Sequence, residues 1–384
     1  MQFFLFIWRN LLRRPLRSGL TIVGLAVAVA AVVALVGISD GFSRQYQELY
    51  DRRGIDLVVQ KVGSGAELNN DLPEAMGDDI KKLPHASDAM AGLMDVVSFE
   101  DHNLLAVIIN GWRADSPLFK DLRILSGRLP TAEDHHQVII GKVLAANLGK
   151  KLGDTIRIYD TPVEIIGIFE STSVFENGSI ATLLTDMQDF MDRPHRVTGF
   201  IIRTSIPKDG SPEHEAEMTD LRKQIEALGK KYDEEVAALP SNQFIENVGQ
   251  IKLAKAVAWV TSAIALAIGA IGMLNTMVMS VYERVREIGT LRALGWRKLR
   301  VMRMILWESL LLSVGGAVVG SIAAVLLTKF LSKMPMTSEL IEGKIAPIII
   351  IEGFLLALLV GFAGALYPAY WGANLRPIEA MRRK

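Results

Sequence analysis

Side chains that do chemistry are thinly set in this sequence, and none falls into a catalytic pattern. Asp134, His135 and His136 form the one local group with metal-ligand character, but adjacent histidines project in divergent directions and a polar turn accounts for all three. Lysine follows glycine at Gly141, Gly149, Gly229 and Gly343, yet none of these pairs has the earlier glycine and following hydroxyl of a phosphate-binding loop. No H-E-x-x-H occurs, and without cysteine there is no thiolate nucleophile, thiolate metal site or disulfide. Asn177-Gly178-Ser179 has the form of a glycan acceptor and equally that of a tight turn. Glu308 and Glu352 stand in or near long apolar runs, where a carboxylate is a candidate for proton or substrate handling; both lie near a membrane boundary, so solvation by headgroups or water is the ordinary expectation. The reading is a protein that is not an enzyme, with no catalytic, metal or cofactor site of its own.

What the sequence concentrates instead is charge, in Tyr282 to Arg303 between two apolar runs. Arg284, Arg286, Arg292, Arg297, Lys298, Arg300 and Arg303 face only Glu283 and Glu287. That excess places the segment on the cytoplasmic side of a membrane. Val285, Ile288, Leu291 and Leu294 recur every third residue, a stripe along a short helix. Gly295 is placed to end that helix, and Gly289 inside it costs about 1 kcal/mol relative to alanine. By pattern alone the segment is either a docking helix or an amphipathic helix resting on headgroups, with Trp296 as an interfacial anchor.

Stepping outward, 50% hydrophobic residues with 22% charged ones describe a membrane part joined to a water-facing domain. Residues 1–18, with Phe3, Ile7 and Leu11 on one face, are expected to form a cytoplasmic interfacial helix. Residues 19–39 form the first span, with a cleaved signal peptide as the competing reading. Residues 40–250 make an extracytoplasmic α+β domain, with β-rich runs at 55–60, 104–112, 138–141, 155–159, 163–169, 180–185 and 199–203 and helices near 71–83, 142–148 and 212–228. Stalk and second span follow at 251–281, with 241–255 helical and continuous into the span. Then come the cytoplasmic loop 282–303, the third span 304–330, an outer loop 331–346, the fourth span 347–370 and a cytoplasmic tail 371–384, with both termini inside. The fold class is therefore an α-helical membrane protein of four transmembrane helices, with an α+β extracytoplasmic domain inserted between the first and second.

Small residues mark helix packing: Gly316 and Gly320 on the third span, and Gly353, Ala357, Gly361, Ala365 and Ala369 spaced by four on the fourth. They serve contacts within one chain or, as the sharper alternative, between two copies. Asn275 in the second span is expected to hydrogen-bond another helix. The basic tracts 13–17 and 297–303 lie beside the spans, so anionic lipid is their partner and nucleic acid is excluded.

The run E-R-V-R-E-I-G-T-L-R-A-L-G at 283–295 resembles the coupling-helix signature of MacB/FtsX-like ABC transporter permeases. The opening W-R-N-L-L-R-R-P-L-R-S and the closing Y-P-A-Y-W-G-A-N-L-R-P-I-E-A-M-R resemble the same family. Ser126 to Pro130, Val138 to Gly141, Leu152 to Asp154 and Val163 to Ile168 resemble its periplasmic core domain. The resemblance implies a bacterial cytoplasmic (inner) membrane permease paired with a second copy or a related subunit. It works with a separate ABC ATPase, which binds the ATP and Mg, and an added periplasmic or outer-membrane partner stays open. Coupling falls to Glu283, Arg284, Val285, Arg286, Glu287, Ile288, Gly289, Leu291, Arg292, Leu294 and Gly295, with Ile288 and Leu291 as buried anchors in the ATPase. The implied function is export or extraction of an amphiphile; the alternative is mechanical signalling to an outer partner such as a cell-wall hydrolase.

Overall fold

The computed structural model describes residues 15–62, 70–102, 104–207, 211–333 and 343–375. Of the interfacial helix expected over residues 1–18, residues 1–14 lie outside the described residues and 15–18 open the first described helix; most of the outer loop and the tail beyond residue 375 also lie outside the described residues. In chain order the elements are α1 (Pro15–Arg52), β1 (Leu57–Lys61), β2 (Leu72–Pro73), α2 (Ala75–Ile80), β3 (Ala86–Phe99), β4 (Leu104–Trp112), α3 (Pro117–Lys120), β5 (Arg123–Gly127), β6 (Gln137–Gly141) and α4 (Lys142–Leu148). There follow β7 (Thr155–Ile158), β8 (Thr161–Glu170), α5 (Val174–Asn177), β9 (Ile180–Leu183), α6 (Leu184–Phe190), β10 (Arg196–Val197), β11 (Gly199–Thr204), α7 (Pro212–Lys231), β12 (Val236–Pro240) and α8 (Ser241–Asn247). The chain closes with α9 (Gly249–Glu283), α10 (Val285–Ala293), α11 (Lys298–Leu331) and α12 (Pro347–Ala373).

Two units result, one built from residues up to Phe42 and from Leu253 onward, the other from Ser43–Lys252. In the first, α1, α9, α11 and α12 are each long and apolar enough to cross a membrane. Their shared interior contains Val29, Val33, Met273, Met304, Ala317 and Ala365, all nearly or fully inaccessible.

The second unit is α+β. Its main sheet runs β12-β1-β11-β3-β4-β9-β6-β8-β5, with β7 paired to β8, and is antiparallel except for β4 with β9 and β6 with β8. β-branched runs such as Val138-Ile139-Ile140 supply central strands buried on both faces. Alternation sends Leu57, Val59, Leu93 and Phe200 to one face, where Met76 and Ile80 of α2 and Leu221 and Ile225 of α7 cover them. Trp112, Met90 and Ile201 point to the opposite face, packed with Leu118 and Phe119 of α3.

Several expectations shift. The first helix runs to Arg52, well past residue 39, because Tyr46, Leu49 and Tyr50 continue an apolar stripe at helical spacing after the uncharged run has ended. Strand β3 was not expected at all, and the helix expected over 71–83 shrinks to α2, preceded by β2. The stalk is not continuous: Val248 is extended, φ −53° and ψ 120°, and separates α8 from α9. Burial of Val248 with Ile245, Ile251, Phe244 and Tyr50 fixes that break.

Candidate coupling site

Helix α10 begins where Arg284 leaves helical geometry, at φ −110° and ψ 14°, and so splits the signature from the end of α9. It ends in a Schellman arrangement. Gly295 takes φ +92°, its N–H donates to Arg292 O at 3.1 Å, and the Trp296 N–H donates to Leu291 O at 3.1 Å. The expected stop at Gly295 is thus the αL residue that only glycine adopts without penalty.

Two ion pairs hold the start of the helix. Both Arg17 Nη atoms donate to the Glu283 carboxylate, Nη1 to Oε2 at 2.7 Å. Arg284 Nη1 donates to Glu308 Oε2 at 2.9 Å, with the two side chains 11% and 9% exposed, while its Nε reaches Glu287 at 3.2 Å. The expectation that headgroups or water solvate Glu308 is therefore corrected: α11 turns that carboxylate inward, where Arg284 neutralises it. On the far side, Arg292 Nη1 donates to Trp296 O at 3.0 Å, the Arg300 guanidinium lies 5.4 Å from the Trp296 ring centre, and Lys298 Nζ donates to Asn374 Oδ1 at 2.7 Å.

The apolar stripe divides accordingly. Val285, Ile288 and Gly289 are buried, and Ile288 packs in the chain's own helical core with Val281, Met304 and Ile305. Ile288 is therefore not available as an anchor for another chain, a correction that periodicity alone did not allow, since a stripe does not say which neighbour it meets. Leu291 and Arg292 are half-buried, whereas Arg286, Glu287, Thr290, Ala293 and Leu294 form the outward face, with Leu294 75% exposed.

The small residues are used inside the chain. A Cβ on Gly316 would press on Leu25, one on Gly320 would meet the Ala26 backbone, one on Gly353 would strike Val33, and one on Gly361 would overlap Ser313. Ala357 and Ala365 are fully buried. Asn275 is exposed, and its neighbour Thr276 makes the contact between helices, accepting from the Thr21 hydroxyl at 3.1 Å.

In the sheet-bearing unit, Asp134 is engaged by Arg128 at 2.5 and 2.7 Å and not gathered with its neighbouring histidines; among the described residues no group of three ligands is placed to hold a metal. Asn177 is buried and its amide brackets Ser171, donating to the carbonyl and accepting from the N–H, so it serves as a structural clasp. Arg17 and Glu308 were the residues of the coupling site that sequence reasoning missed. A carboxylate within an apolar run, one helix after an arginine-rich signature, was the available signal for Glu308; nothing local announces Arg17.

Four membrane-length helices with an α+β unit between the first and second, and a clamped amphipathic helix between the second and third, define the class as a multi-pass membrane protein. Residues 18–221 match the MacB-like periplasmic core domain and residues 259–377 match the FtsX-like permease C-terminal domain. The chain belongs to the MacB/FtsX-like ABC transporter permease family. An uncharacterized ABC transporter permease of Methanocaldococcus jannaschii is 26% identical, with 98% of this chain and 96% of that protein aligned. The macrolide export ATP-binding/permease protein MacB of Haemophilus ducreyi is 24% identical over 99% of this chain, which spans 56% of that relative's length. The crystal structure of the periplasmic region of MacB from Actinobacillus actinomycetemcomitans aligns with 53% of this chain and 97% of its own length, at 14% identity and a TM-score of 0.39.

Proposed function

We propose that this chain is the membrane subunit of an ABC transporter that turns ATP hydrolysis by a separate ATPase into movement of its sheet-bearing unit, for export or extraction of an amphiphile. The observation that carries this reading is the two-sided character of α10. Its inner face is locked to the permease by Val285, Ile288 and the Arg284–Glu308 pair. Its outer face presents Arg286, Glu287, Thr290 and Leu294. A helix held this way moves with the spans when a partner pushes on it. The basic excess of the loop supports a cytoplasmic location for that face and for both termini, with the sheet-bearing unit outside. The docking surface is redrawn from the stripe to the outward face, with Leu294 as the apolar contact and Arg286 and Glu287 as its polar rim. α1 continues from its membrane-length segment to Arg52 as one helix, which supplies a path for the motion. A second permease copy completes the assembly.

The test is co-purification from native membranes in mild detergent, with hydrolysis measured on the product. A subunit with a phosphate-binding loop is expected to accompany the chain. Leu294→Asp removes a contact of about 1.5–3 kcal/mol, so association and hydrolysis should fall by about tenfold or more while the chain stays folded. Undiminished association in that variant overturns the docking face. A co-purifying outer hydrolase would turn the reading from export to signalling.

A further inference from the structure

Alternation along β1, β3, β4 and β11 puts Val58, Gly92, Asn110, Trp112 and Ile201 on one face of the sheet, opposite the face that α2 and α7 cover. Over that face stand Tyr46, Leu49 and Tyr50 from the end of α1, Phe175 of α5 and Phe244 of α8. Together they line a half-open cavity of about 160 Å³, all of it within the sheet-bearing unit.

Gly92 makes the space. It lies in the interior of a 14-residue strand, directly opposite Trp112. Its backbone is not in the left-handed region, and a Cβ built on it would meet only the Trp112 ring, 3.8 Å from Cδ1. Neither conformation nor crowding calls for glycine here, and glycine in a strand interior weakens the strand. What its absent side chain leaves is room. An apolar cavity of about 150 Å³ is large enough for benzene, so the volume is that of one ring.

The polar groups of the wall state what kind of ring. Arg53 and Glu176 are charged but answer each other, Nη1 to Oε1 at 2.6 Å and Nη2 to Oε2 at 3.1 Å, and the Ser171 hydroxyl donates to Glu176 at 2.5 Å. They offer no net charge to an ionic guest. The Gln60 and Asn110 amides line the same cavity, and among the described residues neither makes a side-chain hydrogen bond. Such amides suit a neutral donor or acceptor. We propose that this cavity binds a single aromatic or alicyclic ring carrying an uncharged hydrogen-bonding substituent, as one part of a larger amphiphile. The wall includes the helices by which the chain enters and leaves this unit, so occupancy bears on both. The proposal goes beyond the docking of an ATPase and does not depend on it.

The full chain in lipid nanodiscs is irradiated with a phenol bearing a small alkyl diazirine, then digested and its adducts mapped by mass, with no ATPase present. Saturable adducts are expected on peptides covering residues 46–53 and 108–112, competed by plain phenol. Gly92→Leu, which fills the space, should lower them by about tenfold or more. Asn110→Leu keeps the apolar lining; it should lower phenol labelling and leave labelling by the matching benzene probe unchanged. Adducts confined to the membrane helices, or rising without saturation in the unaltered chain, overturn the cavity. Phenol labelling that is unchanged in Asn110→Leu overturns the assignment of a polar ring.

Discussion

Arg284 and Glu308 offer the sharpest test of how α10 is held. Their side chains are 11% and 9% exposed and 2.9 Å apart. Removing one partner of a buried ion pair costs about 3–5 kcal/mol, because the other charge is left in a poor environment. Arg284 keeps a second contact, Glu287 at 3.2 Å, but that carboxylate is 55% exposed, and such pairs contribute only about 0–1 kcal/mol. Glu308→Leu is therefore expected to destabilise the helical unit by about 2–4 kcal/mol, and Arg284→Leu, which leaves Glu308 without a second partner, by about 3–5 kcal/mol. The double variant leaves neither charge buried and should lose only about 0–2 kcal/mol. The cycle then yields a coupling of about 3–9 kcal/mol. Reversible unfolding in mixed micelles, followed by tryptophan fluorescence, supplies the four stabilities. On the proposed coupling, ATP hydrolysis by a co-purified ATPase should follow the same order. Single losses that add to within about 0.5 kcal/mol would refute the reasoning and return Glu308 to the role of a solvated boundary residue.

Gly320→Ala forces a methyl group against the Ala26 backbone and should destabilise the helical unit by about 1–3 kcal/mol, whereas Gly24→Ala meets nothing within 4 Å and should be nearly neutral in the same unfolding assay. Asp186 is buried, and its carboxyl titrates above the ordinary 3.8 because desolvation outweighs the N–H of His136, which donates to it at 2.8 Å. A folded value above the unfolded one gives stability that is whole below pH 3.8 and lost as pH rises through the folded value. Asp186→Asn should therefore flatten the stability profile across that window. Parallel profiles for the two proteins would remove Asp186 from the account.

The parts legible in the sequence were those where one physical signal acts alone. Long apolar runs marked the four spans, and Val138-Ile139-Ile140 marked a central strand. β3 was hidden because its first half, A-S-D-A-M-A-G-L-M, is poor in β-branched residues and reads as well for a helix; pairing with β4 and β11 decides it. β5 was hidden because Arg123, Ser126 and Gly127 lack an alternating apolar face, and the strand is largely exposed. At the coupling site, composition gave the segment, its helix and its stop. It did not give the split of the stripe, because Ile288 is distinguished from Leu294 only by the neighbouring spans. Arg17 and Glu283 meet through tertiary packing across most of the chain's length, for which a single sequence has no local signal.

The place of β1 in the sheet has a consequence for how the sheet-bearing unit is made. β1 lies between β11 and β12, Val58 opposite Ile201 and Leu57 opposite Pro240, so the first strand synthesised needs two of the last. At elongation rates of about 5–20 residues per second, β12 follows β1 from a ribosome by about 10–35 s. Through that interval Leu57-Val58-Val59 is an apolar strand with both edges open, the kind of segment that recruits foreign strands. Nothing local shortens the wait, because closing so long a loop must precede the contacts that reward it. A nascent chain halted before Val236 still has an unpaired edge on β1. The last strand seals the first, and the sheet is completed only near the end of its own synthesis.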